Sequence, residues 1–191
     1  GAESVKAAQT HYLIGATYLE MGDIPATAEA YRRAADLTAE VLPEGHPFNL
    51  SLWHGLGSVE RRLGNPEAAL SWLDKAMTLS QQLNPDPDGA KLIIHSDRGK
   101  TLLALSRFDE AVAASEMALT IGESLLPSDS MDLAALKLRH AVSLHADHRN
   151  DEARGLLRQA LSIRRSAASD GWDDADNIDA ERLRKRLGVG V

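Results

Sequence analysis

The chain has no cysteine, so disulfides, thiolate nucleophiles and cysteine metal sites are all excluded. Aromatic residues make up only 4% of it. That disfavours a β-sandwich, whose strands draw on β-branched and aromatic side chains. No apolar run approaches the roughly 18 residues that a membrane span needs, and no secretory leader opens the sequence. A cytoplasmic setting without membrane contact is therefore the expectation. Basic residues do not dominate either: 21 Lys and Arg stand against 28 Asp and Glu, for a net charge of -7. A nucleic-acid partner, which calls for a basic stripe along phosphates, is not expected. Catalytic signatures are missing too. No serine sits in a Gly-x-Ser-x-Gly elbow and no phosphate loop follows a strand, so neither an enzyme nor a cofactor is expected.

What is present is small apolar residues at a fixed interval. The stretch Trp53 to Ala76 reads as two amphipathic helices joined by Gly64-Asn65-Pro66. Small residues Gly57, Ala69 and Ala76 stand where two helices must touch, with Trp53, Leu56, Leu63 and Leu73 beside them. The pattern recurs every 42 residues. One column holds Gly15, Gly57, Gly99 and Ala141. A second holds Thr27, Ala69, Ala111 and Ala153, and a third Ala34, Ala76, Ala118 and Ala160. Pro43, Pro85 and Pro127 repeat in the loops between units. Thr27 is the one break, and its branched β-carbon and hydroxyl suit a tight helix contact less well than alanine.

These residues resemble the tetratricopeptide repeat, whose signature is Trp-x2-Leu-Gly-x2-Tyr followed by Ala-x3-Phe. Glu60 stands in place of the Tyr and Leu73 in place of the Phe. The period exceeds the usual one of about 34 by about eight residues. Leu42-Pro43-Glu44-Gly45-His46-Pro47 is similar to the interrepeat loop of kinesin light chain-type repeats. The resemblance implies an all-α fold, a right-handed α-solenoid of four helix-turn-helix units plus a C-terminal capping helix. We expect a single domain over residues 1–191, with repeats at about 4–42, 48–84, 88–126 and 130–168 and the cap at about 173–187.

Within that frame Gly22 reads as a left-handed helix end, and Asp23 and Asn65 as N-caps. The third repeat, turning at Ser106-Arg107-Phe108, lacks the turn glycine. Arg98 and His140 take the place of Leu56 in the later repeats, and Arg98 is expected to snorkel or to pair with Asp97 or Glu60. Trp172 is expected to pack on the fourth repeat, and Gly188 to Val191 to fray. The chain opens on Gly1-Ala2 without Met, which reads as an excised piece of a longer protein.

The resemblance further implies that first helices line a concave wall. Facing its groove would be Tyr12 and Leu13; His54, Ser58, Arg61 and Arg62; Ile93, Ser96, Asp97, Lys100 and Leu103; and Arg139 and His145. Four cations on one wall, Arg61, Arg62, Lys100 and Arg139, suit a peptide with acidic residues or a free C-terminal carboxylate, because a guanidinium binds a carboxylate in two-point fashion. The competing reading is a solvated face in which Arg62 and Lys100 pair with Asp97 and Glu20 across repeats. The Lys/Asn clamp of chaperone-binding relatives is absent, since Tyr12 and Ala16 stand in its place. The Asn column of kinesin-type relatives is absent as well, replaced by Leu13, Gly55, Asp97 and Arg139. The functional expectation is a module that binds another protein or peptide. Its alternatives are a regulatory segment acting in cis within a multidomain regulator, and self-association through an exposed end. His140, His145 and His148, with Asp147 and Asp151, read as structural rather than as a metal site, and Asn49-Leu50-Ser51 as an unused glycosylation match.

Overall fold

In a computed structural model, residues 2–167 and 174–189 are described. Nine helices and no strand occur among them: α1 Ala2–Glu20, α2 Ile24–Val41, α3 Pro47–Arg62, α4 Pro66–Leu83, α5 Gly89–Ala104, α6 Phe108–Leu125, α7 Met131–Ala146, α8 Asn150–Ser166 and α9 Asp174–Leu187. The fold is the expected all-α stack of helix pairs with a ninth helix after the fourth pair. Second helices begin at Ile24, Pro66, Phe108 and Asn150, and first helices after the opening one at Pro47, Gly89 and Met131, both at intervals of 42 residues. The chain divides into two compact units, Gly1–Asp86 and Pro87–Val191.

Local chemistry sets the helix ends. Gly22, Gly64, Ser106 and His148 occupy one register and all adopt left-handed backbone, with φ of 79°, 82°, 57° and 63°. After each, an N–H reaches back to the carbonyl five residues earlier: Asp23 to Tyr18, Asn65 to Glu60, Arg107 to Leu102 and Arg149 to Leu144. This is the Schellman closure, which satisfies carbonyls that the helix end leaves open. The turn conformation is thus kept where the glycine is lost. Asp23 caps α2 by accepting from Ala26 N–H at 3.0 Å. Asn65 stands at the N-cap of α4 but makes no side-chain cap. Its amide instead donates to Glu60 Oε2 at 2.9 Å, which corrects the expected role. Asp88 caps α5 and Ser130 caps α7 through their side chains.

In the first unit, α1 pairs with α2 and α3 with α4, and α2 packs on α3. A β-carbon on Gly15 would lie 2.5 Å from the Tyr31 ring, and one on Gly57 2.6 Å from Leu73 Cγ. Only glycine allows these approaches. The core gathers Ala28, Tyr31, Ala34, Leu52, Leu56 and Val59. Thr27 is fully buried, yet its hydroxyl donates to the Asp23 carbonyl at 2.7 Å, so the break in the alanine column leaves no polar group unpaired.

In the second unit, α5 pairs with α6 and α7 with α8, α6 packs on α7, and α9 packs on α7 and α8. Ala180, Leu183 and Leu187 of α9 join Leu138, Ala141, Leu144 and Leu157 in one core. The expected fraying fails at Gly188 and Val189. Gly188 takes φ 63°, Val189 N–H bonds the Arg184 carbonyl at 3.1 Å, and the valine side chain is buried. Trp172, Gly190 and Val191 lie outside the described residues. No described helix is long and apolar enough to cross a membrane.

Candidate binding surface

Tyr12 is not a free groove residue in the first unit. Its ring stacks on Tyr31 with centroids 5.2 Å apart, and Phe48 meets it edge-on at 5.5 Å. Burial raises the pKa of both tyrosines, and that of Tyr31, also facing Tyr12, reaches about 12. The cluster ties α1 to α2 and to the start of α3. His54 and Ser58 are half-buried on α3. Arg61 and Arg62 occupy its last turn, Arg62 exposed and Arg61 half-buried, with an Arg61 Nε that is buried and finds no acceptor.

Glu60, next to them, faces inward. The carboxylate is buried and accepts from Arg32 Nε at 3.2 Å, Arg32 Nη2 at 2.5 Å and Asn65 at 2.9 Å. Burial alone would raise its pKa, but the bonds from Asn65 and Arg32 outweigh it and hold the carboxyl below its ordinary range. Glu60 is therefore bonded within its own unit. The half-buried Arg98 extends its charge to His95 and Glu110.

In the second unit Arg139 carries a two-point bond. Its Nε and Nη2 donate to the two carboxylate oxygens of Asp176, at 3.2 and 2.9 Å, and Nη1 approaches Ser96 Oγ at 3.5 Å. The carboxylate comes from α9 and is buried. Lys100 lies 3.9 Å from Asp97 on the same helix, an ion pair along α5. Leu103 is half-buried. His145 Nδ1 lies 2.6 Å from Asn150 Oδ1, within the α7–α8 turn.

The remaining polar substitutions are absorbed in packing. His140 Nδ1 lies 2.9 Å from Ser115 Oγ, and burial lowers its pKa. Lys137 donates to Glu123 at 2.9 Å and to Gln159 at 3.1 Å. His95 is driven down to about 4 by burial, then by Arg98 and Lys91. No group of three His, Asp or Glu among the described residues could hold a metal ion. Asn49 is buried and donates to the carbonyls of Pro43 and Glu44, both at 3.1 Å, so it clamps the interrepeat loop and offers no amide for glycosylation.

Sequence reasoning missed Asp176 and Lys137 as partners, and offered Glu60 to Arg98 where the structure gives it to Arg32 and Asn65. Asp176 carried a weak signal, as an acid in the first turn of the last helix.

Repeated helix pairs closed by one turn geometry and packed through small-residue columns define a helical-repeat protein. The chain belongs to the tetratricopeptide repeat family, whose signature matches residues 6–82 and 48–124. Its fold is that of solved kinesin light chain-like, nearly identical TPR-like repeats from Podosopora anserina. That likeness has a TM-score of 0.78 and 18% identity over 97% of this chain and 88% of that one. BtubC (BKLC) from P. vanneervenii is similar at TM-score 0.76 and 20% identity, over 87% of this chain and 65% of that one. Among curated relatives, the clustered mitochondria protein homolog of Emericella nidulans is 22% identical over 95% of the chain. The chain spans 15% of that relative's length.

Proposed function

We propose that this chain is a protein-interaction module that holds a segment of another polypeptide along the exposed faces of its first helices. Membership of a repeat family of typically non-enzymatic scaffolds supports the class of function. The observation that carries the choice of face is apolar exposure on it. In the first unit, Leu13 of α1 is 64% exposed. Covering such side chains contributes about 25 cal/mol per Å2 of apolar surface. Arg61 and Arg62 give the face its basic chemistry. The exposed Arg62 at the end of α3 supports an acidic ligand, because a solvent-facing guanidinium can bind a carboxylate at two points. Arg139 is set apart from that role by its bond to Asp176.

The test is affinity capture from a source-cell lysate, with the eluate identified by mass spectrometry, for the wild type, Arg61→Glu/Arg62→Glu and Leu13→Asp. A partner lost in both variants, with helicity unchanged, is the expected result. A partner retained by both removes the first-helix reading. One lost only with Leu13→Asp removes the acidic ligand but keeps the face. Arg139 stays untouched, since changing it would release Asp176 and confuse loss of a ligand with loss of α9.

A second reading, a regulatory segment acting in cis within a longer polypeptide, is favoured by the small share of the Emericella nidulans relative that the chain covers. Failure to capture any partner, wild type included, would favour it.

A further inference from the structure

The repeats supply an internal control for the face of α1 that looks away from α2. Three of its positions have counterparts 42 and 126 residues on. Ala7 corresponds to Asn49 and Leu133, Ile14 to Leu56 and His140, and Tyr18 to Glu60 and Leu144. All six counterparts are buried. In the first unit Leu56 packs with Ala28 and Tyr31 of α2. In the second, Leu133 packs with Leu119, and His140 meets Ser115, both on α6. On α1 Ala7 is half-buried and the other two columns are open: Ile14 is 41% exposed, Tyr18 36%, and Met21 beyond them 73%. The flanking threonines do not make the strip polar. Thr10 and Thr17 donate their hydroxyls to the carbonyls of Lys6 and Leu13, at 2.8 and 3.1 Å.

We infer that this strip is a homodimer interface, covered by α1 of a second copy running antiparallel. The strip is self-complementary about Ile14. Ala7, Ile14 and Met21 are seven residues apart, close to two helical turns, and form one line along the helix. An antiparallel copy with its two-fold axis at Ile14 sets Ala7 of one chain opposite Met21 of the other, small against large. Ile14 meets itself. Lys6 and Glu20 are exposed on one flank and have no ion-pair partner among the described residues. Antiparallel helices bring like flanks together, so Lys6 of each copy meets Glu20 of the other, twice across the axis. Such an isologous contact closes at two copies. Leu13 lies on the flank between Lys6 and Glu20, so the two readings are told apart by their variants: Ile14→Glu and Lys6→Glu leave Arg61 and Arg62 untouched.

One pair of 19-residue helices is a small interface, so the dimer forms at a Kd on the order of 10–100 µM. Sedimentation velocity from about 1 to about 500 µM reads it. The wild type rises reversibly toward twice its monomer mass. Ile14→Glu, which sets two carboxylates on the axis, stays monomeric at every concentration with unchanged helicity. Lys6→Glu weakens the dimer by about five-fold, and Lys6→Glu/Glu20→Lys recovers it, which an unspecific apolar contact would not do. The chain has no cysteine, so a single Ile14→Cys gives a clean second readout. It cross-links to a dimer faster than Met117→Cys, a control at another exposed position. A wild type that keeps its monomer mass throughout, or equal cross-linking at the two sites, overturns the inference.

Discussion

The first two repeats and the last two solve one packing problem with different chemistry. In the first unit the seam is apolar and aromatic: Tyr12, Tyr31 and Phe48 interlock, and Leu56 fills the column beside Gly57. In the second unit His140 takes the place of Leu56 and Ser115 that of Leu73, and the two face each other at 2.9 Å. The position of Trp53 becomes Lys137, held by Glu123 and Gln159. Turn glycines become Ser106 and His148 without change of backbone. A helical repeat tolerates such drift when every buried polar newcomer brings a partner, because a satisfied polar group costs little and an orphan costs about 1–3 kcal/mol.

The sharpest way to break the comparison is at the small-residue column, where the units differ in available space. A β-carbon on Gly57 would lie 2.6 Å from Leu73 Cγ and 3.2 Å from the Ala69 carbonyl oxygen. Neither can yield without moving α4. On Gly99 the nearest atom would be 3.5 Å away, an ordinary contact. Gly57→Ala should lose about 2–3 kcal/mol through overpacking. Gly99→Ala should gain about 0.5–1 kcal/mol through helix propensity. Denaturant midpoints for the two variants decide it, and equal losses would show that both contacts are tight.

Acid should separate the units next. Histidine titrates near 6.5 in the unfolded chain, whereas His95 in the folded chain titrates near 4. Between these values the unfolded state takes up a proton that the folded state refuses, so stability falls as pH drops through that window. His140 acts in the same direction. For His95, discounted for its partial exposure, the loss between pH 7 and 5 is on the order of 1–2 kcal/mol. Glu60 anchors the first unit with a pKa below its ordinary 4.5, so its contribution is complete above that pH and is lost only below it. Hydrogen exchange, corrected for intrinsic rates, should show α5 and α7 losing protection between pH 7 and 5 while α3 holds. His95→Leu should blunt the loss in α5. Parallel loss in both units would refute this assignment.

The periodic part of the fold was legible because each periodic feature repeats a local cause. Small-residue columns, turn registers and caps all depend on residues within a few positions, and helix starts recur at the predicted interval. What escaped were bonds between distant polar residues. Arg32 and Glu60 are 28 positions apart, and Arg139 and Asp176 37. Neither spacing is a multiple of the repeat, so no column marks the pair. The same blindness made four wall cations look equivalent. Arg139 is taken by α9, Lys100 leans on Asp97, and only the Arg61–Arg62 pair keeps an unbonded donor or an exposed head. Asn65 shows the limit even of local rules. It occupies a cap position, but a buried carboxylate five residues back competes for its amide and wins.

The smallest expected effect concerns the turns. Ser106 and His148 hold left-handed backbone that places a β-carbon near the following carbonyl, at a cost of roughly 1 kcal/mol each relative to glycine. Glycine also loses more unfolded-state entropy than other residues, which offsets part of any gain. Ser106→Gly and His148→Gly should each raise stability by about 0.5 kcal/mol, additively, since the turns share no contacts. Gly22→Ala and Gly64→Ala should lower it by about 1 kcal/mol, although nothing lies within 4 Å of the added methyl, because the strain is in the backbone alone. Thermal melts of the four single variants test the pair of signs. If His148→Gly proves destabilising, the imidazole is contributing a bond at the turn that outweighs its strain, and the fourth repeat has replaced its glycine for a reason that the third has not.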